Sequence, residues 1–409
     1  MSTTGYFSRQ GLQRGLSLIE LLIALVLGLA VLVGLSSVYV AVKQSFRFQE
    51  TTGRLQEDAT FALDSMARDL RMAGSAGCMG INKVANAAPP PTSIYYPGSV
   101  LASGSPASPG VTTSPDNTSG FYGANPLGQI ETTNPEVIQQ PFTSLNFVRG
   151  FDNGIPTGMV ATSNPTPSTV SDSLLFSGAS FKAVSVSVPM AAANSNLTLA
   201  ADTYGWINAA SGTNSGIYTF IVSDCASSSI FNGKVTVVGG VTSIDHSTAM
   251  GNNVDTLALS TLFGTDAIVM PVEWSFYYIA TRTGASTPSL YRVFFNGNKR
   301  LNAEELVSNV EGMKLNYGEN TGFDGTGAPT LVPDVWRANA AAVADWSRVV
   351  AVRIGLMMVS SEDNANPEVT LTVPTLLGQT YTAPAGASAN RLRKEFSTTV
   401  VMRNRVAAR

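Results

Sequence analysis

A single carboxylate interrupts the most apolar stretch of the chain. Glu20 lies inside LSLIELLIALVLGLAVLVGLSSVYVAVKQ (16–44), five residues after Gly15. An ionisable group in a membrane-spanning helix costs about 2.5–3.5 kcal/mol on insertion scales and marks a functional position. In a low-dielectric surround a carboxylate is tolerated only when it is paired. Physics alone leaves two readings: Glu20 rests at headgroup level, where it costs little, or it pairs with a cation.

The other chemistry-bearing residues are sparse. His246 stands beside Asp245, and serines abound, so a Ser–His–Asp set is chemically conceivable. No nucleophile-elbow pattern accompanies it, and a solvated loop histidine is the plainer expectation. The segment GENTGFDGTG (318–327) offers Glu319, Asn320 and Asp324 among glycines. Calcium favours such oxygens, but EF-hand spacing is absent and a turn is the better reading. Arg391, Arg393, Lys394, Arg403, Arg405 and Arg409 against Glu395 give the C-terminal stretch a local excess of +5. That suits an anionic partner such as DNA, or, more commonly, a solvated or edge-protecting strand. Two cysteines and one histidine make a zinc, haem or iron–sulfur site in one chain hard to assemble. Phosphate-loop and dinucleotide fingerprints are absent too. No cofactor or metal is expected.

The elements that position these residues begin with a basic leader. Residues 1–15 carry Arg9 and Arg14 and no acid. From Leu21 to Val42 no residue is charged, and 22 residues of helix span roughly 33 Å, enough to cross a bilayer. The preceding arginines keep the N-terminus cytoplasmic and send the rest across. A secretory signal would have a shorter core and a small-residue cleavage site after it. A plain signal anchor fits the length and leaves Glu20 unexplained.

An amphipathic stretch follows from Lys43. Leu55, Ala59, Ala62, Met66, Leu70 and Ala73 recur at three- and four-residue steps, with Arg54, Glu57, Asp58, Asp64 and Arg68 mostly on other faces. Gly74 and Gly77 are natural stops. The expectation is one helix from Leu16 to about Ala73, roughly 87 Å long, or two helices broken at Gly53. Only one pairing is open to Cys78 and Cys225. In an exported head a disulfide is the favoured state. It would close a loop of about 150 residues, worth on the order of 4–5 kcal/mol in the entropy estimate.

The remainder is low in charge; the whole chain of 409 residues is 44% hydrophobic, only 13% charged and carries a net charge of −3. That balance gives no field pointing to nucleic acid as the main partner. Residues 84–180 are rich in Pro, Ser, Thr, Gly and Asn, which predicts loops and short strands such as 144–148 and 173–176. Strand signals strengthen from 217: 217–223, 234–240, 273–282, 289–295, 312–318, 349–359, 369–373 and 395–403, with a hairpin loop at 283–288 and a helical turn over 304–310. The organisation expected is a leader at 1–15, an apolar helix at 16–42, an amphipathic stem at 43–74, a loop-rich region at 75–216 and a β-rich head at 217–409. The fold class is α+β, one long helix followed by an antiparallel sheet.

The order of Gly15, a hydrophobic residue, Glu20 and an uninterrupted apolar run resembles the class III signal of type IV prepilins and type II secretion pseudopilins. The strings ATFALDSMARDLRMAGSAGCMG (59–80), DWSRVVAVRIGLMM (345–358) and RLRKEFSTTVVMRNR (391–405) look like PilW-type minor pilins. The resemblance implies a pilin αβ-roll with two sheets. It implies cleavage by a prepilin peptidase between Gly15 and Leu16, N-methylation of Leu16 where many members have Phe, and pairing of Glu20 with the N-terminal amine of a neighbouring subunit. It further implies a non-catalytic subunit of a tip or priming complex. Such a subunit would start in the inner membrane with its head in the periplasm and then enter the pilus. Its partners would be other minor pilins, the major pilin, the inner-membrane assembly machinery and a tip adhesin, in pili that drive twitching motility. Alternatives are a J-type pseudopilin of type II secretion and, in another class, a membrane-anchored periplasmic enzyme.

Overall fold

The computed structural model describes residues 17–77, 79–80, 94–95, 148–156, 160, 164–201, 218–224, 228–246, 259, 261–295, 303–321, 332–344, 346–362 and 375–402. The chain divides into two compact units, Met1–Gly53 and Arg54–Arg409.

In the first unit the backbone is helical. Leu, Ala and Val repeat with no proline and, after Glu20, no charge until Lys43. The helix satisfies its own backbone polar groups, which is what an apolar medium demands. Helix α1 runs from Leu18 to Arg71 without interruption at Gly53. Within the apolar run the Ser37 hydroxyl donates to the Gly34 carbonyl at 2.8 Å.

The second unit contains the C-terminal turns of α1 and an antiparallel β-structure. Its principal strands are β1 (Val148–Phe151), β2 (Ser173–Ala179), β3 (Val184–Val188), β4 (Leu197–Leu199), β5 (Tyr218–Ser223), β6 (Ser228–Val238), β7 (Val241–Asp245), β8 (Ile268–Thr281), β9 (Ser289–Phe295), β10 (Glu304–Ser308), β11 (Val310–Glu319), β12 (Val335–Arg337), β13 (Val349–Val359) and β14 (Arg393–Val401). Among the described residues the larger sheet has twelve strands. Its path runs β10-β9-β8-β3-β4-β7-β6, and β6 ends against Ile94–Tyr95; β1, β2, β5 and Thr166–Pro167 pair off that path. The smaller sheet has the order β12-β11-β13-β14. Two short hairpins, Ser75–Ala76 with Met79–Gly80 and Thr375–Leu376 with Gln379–Thr380, complete the pairing.

Strand periodicity explains the layering. In β8, Trp274, Phe276, Tyr278 and Ala280 join one core cluster, while Tyr277 and Ile279 join another on the opposite face. That second cluster is the main core. It gathers Leu55, Ala59, Ala62, Leu63, Met66, Ala67, Leu70 and Ala73 with Met313, Leu315 and Tyr317 of β11 and Val352, Ile354, Leu356 and Met358 of β13. A third cluster, with Phe220, Phe231 and Phe263, lies beneath β3–β7.

Several local expectations are revised. Glu304–Ser308 is a strand paired with β9, not a helical turn. Strands β1–β4 show that the larger sheet draws on residues before 217. The expected strand at 369–373 lies outside the described residues.

Candidate functional site: an apolar helix segment and a helix–sheet latch

The first element is the apolar run of α1. Its large hydrophobic side chains from Leu18 to Val42 are exposed within the chain, from 47% at Val42 to 78% at Leu18. This helix is long and apolar enough to cross a membrane, with a mean hydropathy of 2.8 over 18 residues. Glu20 stands in the first turn of α1, where a carboxylate favours the unpaired N–H groups and the positive end of the helix dipole. Gly28 and Gly34 have open space at the position a Cβ would take. Gly15 and Leu16 lie outside the described residues.

The second element is the latch between the last turns of α1 and the larger sheet. Tyr277 Oη donates to Asp69 Oδ2 at 2.7 Å. Arg292 Nη1 lies 3.4 Å from the same oxygen, and its Nη2 is 3.0 Å from Glu304 Oε2. Burial, reinforced by the negative charge of Asp69, pushes the Tyr277 hydroxyl well above its ordinary range, so it stays a donor. Beyond the latch the helix stops. Met72 and Ala73 donate to carbonyls three residues back, and Gly74, at φ 74°, donates its N–H to Ser177 O at 2.9 Å. Gly178 is required here: a Cβ would come 2.5 Å from Met72 O.

Other polar groups serve the head. Asp172 is buried and accepts from Lys314 Nζ at 2.8 Å, Leu315 N at 3.0 Å and Asn153 N at 3.1 Å. Desolvation nevertheless raises its carboxyl above the usual range, with Lys314 opposing. Glu311 and Arg393 form a two-pronged buried pair at 2.6 and 2.8 Å, to which Tyr381 Oη donates at 3.2 Å. Arg391 is buried as well, its Nη1 donating to Ser360 O at 3.2 Å. These two arginines of the C-terminal basic stretch are therefore internal struts and not solvated charges.

His246 is also buried, with Nε2 2.8 Å from Ser195 O and its ring edge-on to Phe231 at 5.5 Å. It is not the solvated loop histidine expected. Glu319 is buried and paired with Arg337 at 2.6 Å, while Asp324 lies outside the described residues. Among the described residues no group of three or more His, Cys, Asp and Glu side chains is placed to hold a metal. Cys78 and Cys225 also lie outside the described residues.

A long helix with an apolar N-terminal part, followed by antiparallel sheets, defines the pilin-like α+β class. Residues 276–404 match the family model PilW, the type IV pilus-assembly protein W. Over that stretch, from the middle of β8 through β14, the chain is similar to the PilW family, a likeness that points to the type IV pilus. The match contains the 345–358 string and most of the 391–405 string; the leader motif and the 59–80 stem string precede it. A comparison with curated proteins gives no match. Among solved structures, a type IV-like pilin from Thermus thermophilus is similar at 15% identity, over 47% of this chain and 86% of that one, with a TM-score of 0.18.

Proposed function

We propose that this chain is a non-catalytic minor pilin that helps to initiate type IV pilus assembly within a tip or priming complex. The observation that carries the reading is the exposed apolar run of α1 with Glu20 in its first turn, on a chain whose C-terminal part is similar to the PilW family. That surface has no partner within its own unit. Lipid before assembly and neighbouring apolar helices after it are the two media that suit it. In this reading the prepilin peptidase cuts between Gly15 and Leu16, and Leu16 is N-methylated. The residues that follow Gly15 include a large head, best suited to a subunit needed in few copies. Glu20 pairs with the N-terminal amine of the next subunit, so another subunit sits above this one. The N-terminus is cytoplasmic and the head periplasmic until the subunit enters the pilus.

The reading includes a disulfide between Cys78 and Cys225. Its support is the approach of their chain neighbours: a Cβ on Gly77 would lie 2.7 Å from Ser223 Cβ and 2.8 Å from Ser223 Oγ. Mass measurement of alkylated, unreduced protein should show no free thiol; two free thiols would remove the bridge. The function is tested by deleting the gene and scoring surface pili and protein secretion, with a Gly15→Val chain as processing test. Loss of pili, and an unprocessed Gly15→Val chain that fails to restore them, is expected. Normal pili with failed secretion would overturn the pilus assignment.

A further inference from the structure

The smaller sheet ends in a strand whose outer edge is open. β14 pairs with β13 through nine consecutive residue pairs, Ala351 with Val401 to Val359 with Arg393, without a register shift. Met402 N donates to Val350 O and Ser360 N donates to Leu392 O, both at 2.9 Å. These flanking bonds fix the phase of the ladder. Even-numbered residues of β14 turn their N–H and C=O towards β13, and odd-numbered residues turn theirs away. Among the described residues none bonds the outward backbone groups of Ser397, Thr399 and Val401.

Protein edges are usually blunted by a bulge, a proline, a glycine or a charge. From Phe396 to Met402 (FSTTVVM) none of these is present. Thr and Val there favour an extended backbone. The two faces of the strand also differ: Val400 is in the main core, while Ser397, Thr399 and Val401 are exposed. An incoming strand would thus meet a continuous row of donors and acceptors beside a partly apolar outer face.

The charge next to that edge is predominantly basic: the one acid of β14, Glu395, accepts from Leu377 N at 2.8 Å. Arg353, opposite Thr399, lays its guanidinium 4.5 Å from the Trp336 ring centroid and donates from Nε to Thr399 Oγ1 at 3.3 Å. Among the described residues it has no carboxylate partner. Lys394 Nζ lies 5.3 Å from the Phe396 ring centroid, likewise without one. The chain then continues with Arg403, Arg405 and Arg409. A guanidinium braced on an indole is pre-set to take a carboxylate.

We propose that the outer edge of β14 receives an extended, acidic strand of another protein chain, extending the four-stranded sheet by one. Main-chain bonds at Ser397, Thr399 and Val401 supply the affinity, and Arg353, on the same outer face as Thr399, selects the charge. The inference is independent of the processing and pairing roles given to Gly15 and Glu20.

The test uses the full chain in detergent and a ten-residue synthetic peptide alternating valine and glutamate. Controls are a valine–lysine peptide and a valine–glutamate peptide N-methylated at alternate residues. Amide exchange should slow at Ser397, Thr399 and Val401 on adding the glutamate peptide only. Ser397→Pro removes one outward N–H and leaves the ladder to β13 whole, so binding should fall at least about tenfold with unchanged melting. If that variant fails to fold, the N-methylated peptide asks the same question from the other side, and it should not bind. Arg353→Gln should weaken the glutamate peptide about tenfold. Equal binding of the lysine peptide, undiminished binding of the N-methylated peptide, or outward amides already protected in the free chain by its own residues or a second copy would each overturn the proposal.

Discussion

The stretches of α1 before and after Gly53 use the same residue types to opposite ends. From Leu18 to Val42 the apolar side chains surround the helix and lie exposed. From Leu55 to Ala73 one face, with Leu55, Ala59, Ala62, Met66, Leu70 and Ala73, is buried in the core shared with β8, β11 and β13, while Phe61 stays exposed. The difference lies in the charges. Arg54, Glu57, Asp64 and Arg68 give the second stretch a polar side, so it is solvated while one face packs. The first stretch has no polar side and needs an apolar medium all round. One helix therefore has a segment whose stability is settled inside the head and a segment whose stability is settled by what surrounds it.

That contrast can be broken from either end. Met66→Ala opens a cavity in the main core and should cost the head about 2–5 kcal/mol in denaturant unfolding. Leu27→Ala, the same kind of truncation in the apolar run, should leave head unfolding unchanged. Lys314→Met comes next. It leaves the Asp172 carboxylate buried without its cation, at about 2 kcal/mol at neutral pH, less than a fully enclosed pair because Lys314 is partly solvated. The sign follows from the raised carboxyl of Asp172. Its folded state holds the proton more tightly than the unfolded chain, so its contribution is complete below about pH 4 and is lost as pH rises through the folded value. Lys314→Met removes an opposing cation and raises that value further. The gap between variant and parent in urea unfolding should widen with rising pH and close towards acid. A gap that is constant with pH would mean the lysine acts by packing alone. Tyr277→Phe is smaller still, about 1 kcal/mol, since Asp69 keeps Arg292.

Legibility in the sequence followed the range of the interactions. SLYRVFF (289–295) and VVAVRIGLMMV (349–359) are strands over those same residues, because β-branched and aromatic residues carry the signal locally. Within 304–310, the residues Glu304, Glu305 and Leu306 are helix formers and favour a helical turn locally; pairing with β9 and the left-handed turn at Asn309, φ 62°, decide otherwise. β2 is buried at all seven positions, so alternation is absent where the core is thickest. The latch was hidden for a different reason. Asp69 and Tyr277 are 208 residues apart, and nothing near either names the other. The same holds for Glu311 with Arg393 and for His246 with Ser195.

The central claim is that the apolar run serves assembly and that Glu20 is its charged contact. The direct measurement is Glu20→Leu, with the amount of subunit quantified in the membrane fraction and in sheared pili. The account predicts unchanged membrane levels and an unchanged head, with the subunit lost from the pili. Incorporation equal to that of the parent chain would contradict it.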